Sequence, residues 1–197
     1  MSPLTELIGG AKAYGWGKLI ETGPFESIAT TTVGSGGTST ITFSSIPATF
    51  THLQIRISSQ TNRGTYGTDY ALMRLNSDSA GNYSRHFVGG DGSTTLAGGT
   101  VNGTFIAGPA TGTNTGSTFG GAIIDILDYA NTNKYKTIRI LNGNDLNGTV
   151  GGYGGEIYLL SGNWRDTSAV SSISFVPNSG TLFNQYSHFA LYGIRSA

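Results

Sequence analysis

Cysteine is absent from the 197 residues, which excludes a disulfide framework, a Cys-ligated zinc and a thiol nucleophile. Charge is scarce: Asp, Glu, Lys and Arg make up 11% of the chain, against about 25% in typical soluble domains. Eleven basic residues balance eleven acidic ones. No global field would draw in nucleic acid or an anionic membrane, so neither is an expected partner. No segment approaches the ~18 continuous apolar residues of a membrane span. Nor does the N-terminus carry the basic and apolar regions of a secretory signal, because Pro3, Thr5 and Glu6 interrupt it, and export by that route is not expected. A surface so poor in charge is easier to understand where much of it faces another subunit, since interface cores are depleted in charge.

Glycine, by contrast, is abundant at 31 residues, which suits many short strands joined by tight turns. Residues 1–26 differ in character from the rest of the chain. Within them "LIGGAKAYGWGKLI", residues 7 to 20, holds two of the four lysines and one of the two tryptophans. Ser2 suits a helix N-cap and Pro3 the first helical position. Leu4, Leu7, Ile8 and Ala11 then fit the i, i+3, i+4, i+7 template. Gly9 and Gly10 each weaken a helix by ~1 kcal/mol relative to Ala. One or two helical turns, and then an extended stretch, are expected in this short N-terminal arm.

From residue 27 the period changes to two. In "THLQIRISS" Leu53, Ile55 and Ile57 share one face while Gln54, Arg56 and Ser58 share the other, as in a half-buried antiparallel strand. "STITFSSIP", "DYALMRLN" and "YSRHFV" read as further strands, and "NSDSAGN" (76–82) is turn chemistry. Residues 89–118 read as a long loop or weak edge region. "GGAIIDILDY", the turn "ANTN" and "KYKTIRILNG" make the clearest hairpin. "GGEIYLLSGNW", "SSISFVP" and "SHFALYGIR" close the chain. Roughly ten strands with no core-facing helix predict an all-β fold, a two-sheet antiparallel β-sandwich of jelly-roll type over residues 27–197. No fixed-period repeat points to a propeller or solenoid.

The search for chemistry finds no catalytic motif. His52, His86 and His188 are isolated, with no metal-ligand spacing between them, and read as structural or interface residues. A glycosidase needs two carboxylates across a cleft. Asp125 and Asp128 sit three apart in one strand and alternate to opposite faces, so Asp128 is expected to start the "ANTN" turn and Asp125 to bond a cross-strand partner. Glu156 is the only glutamate beyond the N-terminal region. "NGNDLNG" and "NSDSAG" fail the calcium-loop pattern and read as polar turns, so no metal and no cofactor is expected. "GSGG" and "GGYGG" lack a phosphate loop's GK[ST], and no G-x-S-x-G elbow occurs. Most aromatics alternate within strands, where core packing is the default. Tyr66, Tyr153 and Trp164 lie nearer loops or strand ends and are the candidates for glycan contact.

The phrases "ITFSSIPATFTHLQIRIS", "LMRLNSDSAGNYSRH", "IIDILDYANTNKYKTIR" and "FALYGIR", in this order over residues 27 to 195, resemble a domain of tailed-bacteriophage structural proteins, especially of phages infecting cyanobacteria and other aquatic bacteria. The resemblance brings no catalytic residues with it. It implies a virion protein made in the host cytoplasm, placed on the outer surface of the particle, and working by assembly, with a homotrimer as the fold-level analogy. On this basis the chain is expected to be a capsid decoration (cement) protein, not an enzyme. Its arm residues Leu4, Leu7, Ile8, Tyr14 and Trp16, with Lys12 and Lys18 beside them, are expected to bury against the major capsid protein or another virion chain. The alternative is a tail-fibre or receptor-binding module that recognises host-surface glycan through Tyr66, Tyr153 and Trp164, with a depolymerase third. The lack of heptads or shaft-like repeats favours the head.

Overall fold

The computed structural model describes residues 24–64, 66–112, 116–150 and 153–196. The arm residues Leu4, Leu7, Ile8, Lys12, Tyr14, Trp16 and Lys18 lie outside this set, as does the expected helical turn. The first strand, β1, spans Phe25–Thr32, so the last two residues of the expected arm pair within the sheet. Next come β2 (Ile41–Phe43), β3 (His52–Ser59), β4 (Thr68–Leu75), β5 (Tyr83–Gly90) and β6 (Thr95–Gly103). The second half contains β7 (Ile106–Gly112), β8 (Gly120–Leu127), β9 (Lys136–Val150), β10 (Tyr153–Trp164), β11 (Ile173–Pro177) and β12 (His188–Ile194). No helix occurs among the described residues.

The strands form two antiparallel sheets, of order β1-β12-β3-β8-β9-β10-β5-β6 and β2-β11-β4-β7. The topology is that of one long hairpin rolled up on itself. β1 pairs with β12, β2 with β11, β3 with β8 and β4 with β7, while successive strands β1 to β4 alternate between the sheets. That is the jelly-roll pattern of a β-sandwich. Two further hairpins, β5–β6 and β9–β10, are inserted into the roll. Both join the large sheet beyond β8, so that sheet extends well past its smaller partner.

Alternation along each strand builds the core between the sheets. Leu53, Ile55, Ile124, Ile126, Ile138 and Ile140 of the large sheet are fully buried. They meet Ala71, Met73, Leu75, Ile106, Ile173 and Phe175 of the small one. Each such aliphatic side chain contributes ~1.5–3 kcal/mol when fully removed from water. Phe189 lies between Phe183, at 5.1 Å, and Phe175, at 5.5 Å. Inner-facing Gly193 admits the Phe50 ring, because a Cβ there would stand 2.3 Å from it.

Several local readings differ from this structure, each for a physical reason. Residues 89–118 are the weak edge region of the two alternatives and not the long loop, since they hold the edge strands β6 and β7. Strand β6 is an edge strand that is open to solvent along most of its length, so no burial alternation is imposed on its sequence. β7 is the edge of the small sheet, a place that tolerates its Pro109. "STITFSSIP" yields only the three residues of β2. "NGNDLNG" lies within the 15-residue β9 rather than in a turn, because β10 supplies ladder partners as far as Val150, with a register shift between Tyr153 and Gly155. "NSDSAGN" is a turn, with Asn76 and Ser77 in the left-handed region.

Candidate functional site

The three histidines stay apart. His52 opens β3, where its Nδ1 accepts from the Asp128 N–H at 3.0 Å. His86 is exposed on β5. At the start of β12, His188 Nδ1 lies 3.0 Å from Thr32 Oγ1. Asp125 accepts from Gln54 Nε2 at 2.9 Å across the β3–β8 ladder. Asp128 starts the β8–β9 turn, with φ 49° and an ion pair to Lys134. Neither carboxylate bonds to a second one among the described residues. Among the described residues no group of three or more His, Asp or Glu side chains could hold a metal ion.

The glycan candidates Tyr66, Tyr153 and Trp164 do not form one platform. Tyr153 and Trp164 are the first and last residues of β10, about 36 Å apart at ~3.3 Å per residue. Trp164 is also only 1% exposed. Its ring stacks on Tyr83 at 6.4 Å, and its Nε1 donates to Asp78 Oδ2 at 2.7 Å. The indole is therefore a core residue that pins the β4–β5 turn, which corrects its reading as a surface platform. A strand end looks exposed in the sequence, but the turn opposite folds over it. Tyr66 is half-exposed in the β3–β4 connection, with the Arg63 guanidinium 4.2 Å from its ring centre.

Two features missed at the sequence level stand out. The first is on the outer face of the large sheet. Ile123 of β8, Leu141 of β9, Leu159 of β10 and Val88 of β5 are direct cross-strand neighbours in one continuous row. All four are between 41 and 57% exposed, and Ile157 beside them is 59% exposed. Arg56 of β3 joins Ile123 and Leu141 in lining a shallow groove there. Its guanidinium also lies 5.4 Å from the ring of Phe25, which stacks on Tyr192 at 4.7 Å. The outer face thus runs from the start of β1 to β5 with aromatic and aliphatic groups along it. A clean sandwich would alternate polar residues outward. The signal was legible: "AIIDIL" and "IYLL" place apolar residues on both faces of their strands.

The second feature lies on the inner face, where β10 and β5 run past the small sheet's last strand. A cavity of about 120 Å³ is lined by Tyr70, Arg85, Phe87, Gly108, Tyr158 and Leu160. Tyr158 Oη donates to Glu156 Oε2 at 2.9 Å, and Tyr70 Oη lies 3.5 Å from Tyr158 Oη. Glu156 is 6% exposed, and its Oε1 is buried without a hydrogen-bond partner. Burial pushes the Tyr70 hydroxyl far up, with the Tyr158 contact and the charge of Glu156 adding to it, so the phenol stays protonated. Burial likewise raises Tyr158 and holds Arg85 below its ordinary value. Glu156 also lines an open depression of about 630 Å³ with Asp91, Asn144 and Asp145.

No protein-family model matches the chain, and no curated protein matches it. Among solved structures it is similar to the galectin LEC-6 of Caenorhabditis elegans, at 8% identity over 85% of this chain and 96% of that one, with a TM-score of 0.32. A functionally unknown protein from Saccharomyces cerevisiae is similar at 6% identity over 71% of this chain and 72% of that one, with a TM-score of 0.25.

Other buried polar groups are structural. The Asp69 carboxylate accepts from Thr61 Oγ1 at 2.8 Å and from the Ser179 and Gly180 N–H groups at 3.1 and 2.9 Å, which ties the β11–β12 connection to β4. Fully buried Lys136 donates from Nζ to the carbonyls of Asn131, Lys134 and Thr167 at 2.7 to 3.1 Å, joining the β8–β9 and β10–β11 connections.

Proposed function

We propose that this chain is a non-catalytic structural protein of a tailed-bacteriophage particle, a capsid decoration protein that assembles with copies of itself and stabilises the head. The observation that carries this reading is the apolar row Ile123–Leu141–Leu159–Val88. The core between the sheets is already filled, so this second apolar surface is surplus to folding, and such patches mark association sites. Its occupant is a further copy of the chain. Along β9 the outward positions run Arg139, Leu141, Gly143 and Asp145. A copy laid antiparallel on this face sets the cation of one against the anion of the other, and a net charge of zero offers no repulsion. The resemblance to phage structural proteins supports the particle assignment; its homotrimer analogy needs a contact besides this face, because an antiparallel self-complementary pairing closes at two copies. Residues 1–26, with their aromatic and apolar side chains, are the segment that would reach the major capsid protein. Pro24 and Phe25 lead from it directly onto the outer face.

Each row side chain, half-exposed already, would gain ~1 kcal/mol on complete burial, half of the full value for a Val, Leu or Ile. Leu141→Glu with Leu159→Glu should therefore leave far-UV circular dichroism unchanged but convert the assembled species to monomer in analytical ultracentrifugation. A wild-type chain that stays monomeric at high concentration, or a double variant that still assembles, overturns the interface. Counting copies in purified particles tests the location: a number on the scale of the shell supports the head, while a handful per particle assigns the tail instead.

A further inference from the structure

The pocket between β4, β5, β7 and β10 belongs to no assembly surface, and its construction is specific. Its large side chains stand opposite glycines: Tyr158 pairs with Gly89, Phe87 with Gly98, and Arg85 with Gly162. At the first two positions the glycine is required. A Cβ on Gly89 would stand 2.3 Å from the Tyr158 ring, and one on Gly98 would stand 2.9 Å from the Phe87 ring. Both rings therefore lie across the neighbouring strand. They meet edge to face at 5.4 Å, and Tyr70 adds a tilted third ring 6.3 Å from Tyr158.

Polar groups converge on the same place and are incompletely matched. Arg85 forms no ion pair with any described residue. Its contacts are the Phe87 ring, 5.6 Å from the guanidinium, and a 3.5 Å approach to Thr100 Oγ1. Behind the rings the hydroxyls are ordered Tyr70 to Tyr158 to Glu156. This relay uses the protons of both phenols and leaves Tyr70 Oη free to accept. Glu156 Oε1, a buried acceptor with no partner, belongs to the wider depression and not to the lining of this pocket. Unmatched buried polar groups are costly unless something pairs with them.

We propose that this pocket binds one pyranose ring of a glycan. A sugar offers what the walls need: a C–H face for Phe87 and Tyr158, and hydroxyls that accept from Arg85 while donating to Tyr70 Oη. A simple anion would pair with the guanidinium but leave the rings unused. A purely apolar ligand would bury Arg85 without a partner. The volume, about 120 Å³, is less than a whole hexose occupies, so a single ring enters by one edge and the rest stays in solvent, while an extended chain is excluded. The proposal stands apart from the assembly reading, since the pocket lies on the inner face and the apolar row on the outer one.

Saturation-transfer-difference NMR on the full chain tests it with glucose, galactose, mannose, N-acetylglucosamine and glucuronate, and with inorganic phosphate as a competitor. At least one sugar should show transfer from aromatic protons at ~1–10 mM, an affinity ordinary for one small ring. Arg85→Gln should weaken that sugar about tenfold, as expected for losing a hydrogen bond to a charged group. Tyr70→Phe keeps the ring and the packing, and should weaken it several-fold while the far-UV circular dichroism stays that of wild type. The proposal is overturned if no sugar shows transfer at ~20 mM, if both variants bind as wild type, or if phosphate displaces the sugar completely at equal concentration.

Discussion

Replacing Trp164 separates a core residue from a surface sugar platform. Trp164→Phe keeps an aromatic ring against Tyr83 but removes the indole N–H that Asp78 Oδ2 accepts at 2.7 Å. Losing a hydrogen bond to a charged acceptor costs ~1.5–3 kcal/mol, and the missing part of the larger ring adds ~1 kcal/mol of unfilled volume. The sum is about 2.5–4 kcal/mol, or roughly 5–16 °C in thermal midpoint for a chain of this size. Trp164→Ala should cost ~3–5 kcal/mol. The effect also depends on pH. Burial alone would raise the Asp78 carboxyl, but the bonds from Trp164, Asn82 and the Ala80 N–H outweigh it and hold the group below its ordinary range. A depressed carboxylate stabilises the fold above its unfolded value of ~3.9, and that contribution is lost as pH falls through the folded value. The gap between wild type and Trp164→Phe should therefore narrow below about pH 4. Thermal denaturation monitored by circular dichroism, from pH 7 downwards, reads both quantities. A Trp164→Ala chain that melts within 1–2 °C of wild type, roughly 0.5 kcal/mol, would refute the burial argument and return Trp164 to the surface.

Two further substitutions test how the ends of the sandwich are held. Lys136→Met preserves the aliphatic stem but strands three carbonyls that the ammonium now satisfies. A loss of ~2–4 kcal/mol in urea unfolding is expected, and an unchanged midpoint would mean that relieving the buried charge cancels the lost bonds. Gly193→Ala sets a Cβ 2.3–2.4 Å from the Phe50 ring, which also lies under the Arg195 guanidinium at 4.5 Å. Overpacking of this kind should cost ~1–3 kcal/mol. A stability equal to wild type would show that Phe50 swings aside without penalty.

Alternation and turn chemistry by themselves determined the all-β class, the sandwich and most strand positions. Leu53, Ile55 and Ile57 can share a face only in an extended strand, and "ANTN" between two apolar runs can only be a hairpin connection. The same local logic placed Asp125 in a cross-strand bond and Asp128 at the head of a turn, because both result from a period of two. What local pattern could not carry is whatever depends on which strands become neighbours. Strand β6 has no burial alternation, since it borders solvent on one side, and its existence depends on β5 arriving to pair with it. Trp164 sits at a strand end, and only the return of the β4–β5 turn buries it. The apolar row is a property of register, and the polar pocket of register together with the packing of β4 against the other sheet. Ile123, Leu141, Leu159 and Val88 come from four strands, and Tyr70, Arg85, Phe87 and Tyr158 from three. Side chains so far apart in the chain become one surface only when the ladder sets them opposite one another, and a shift of one residue would send each to the other face.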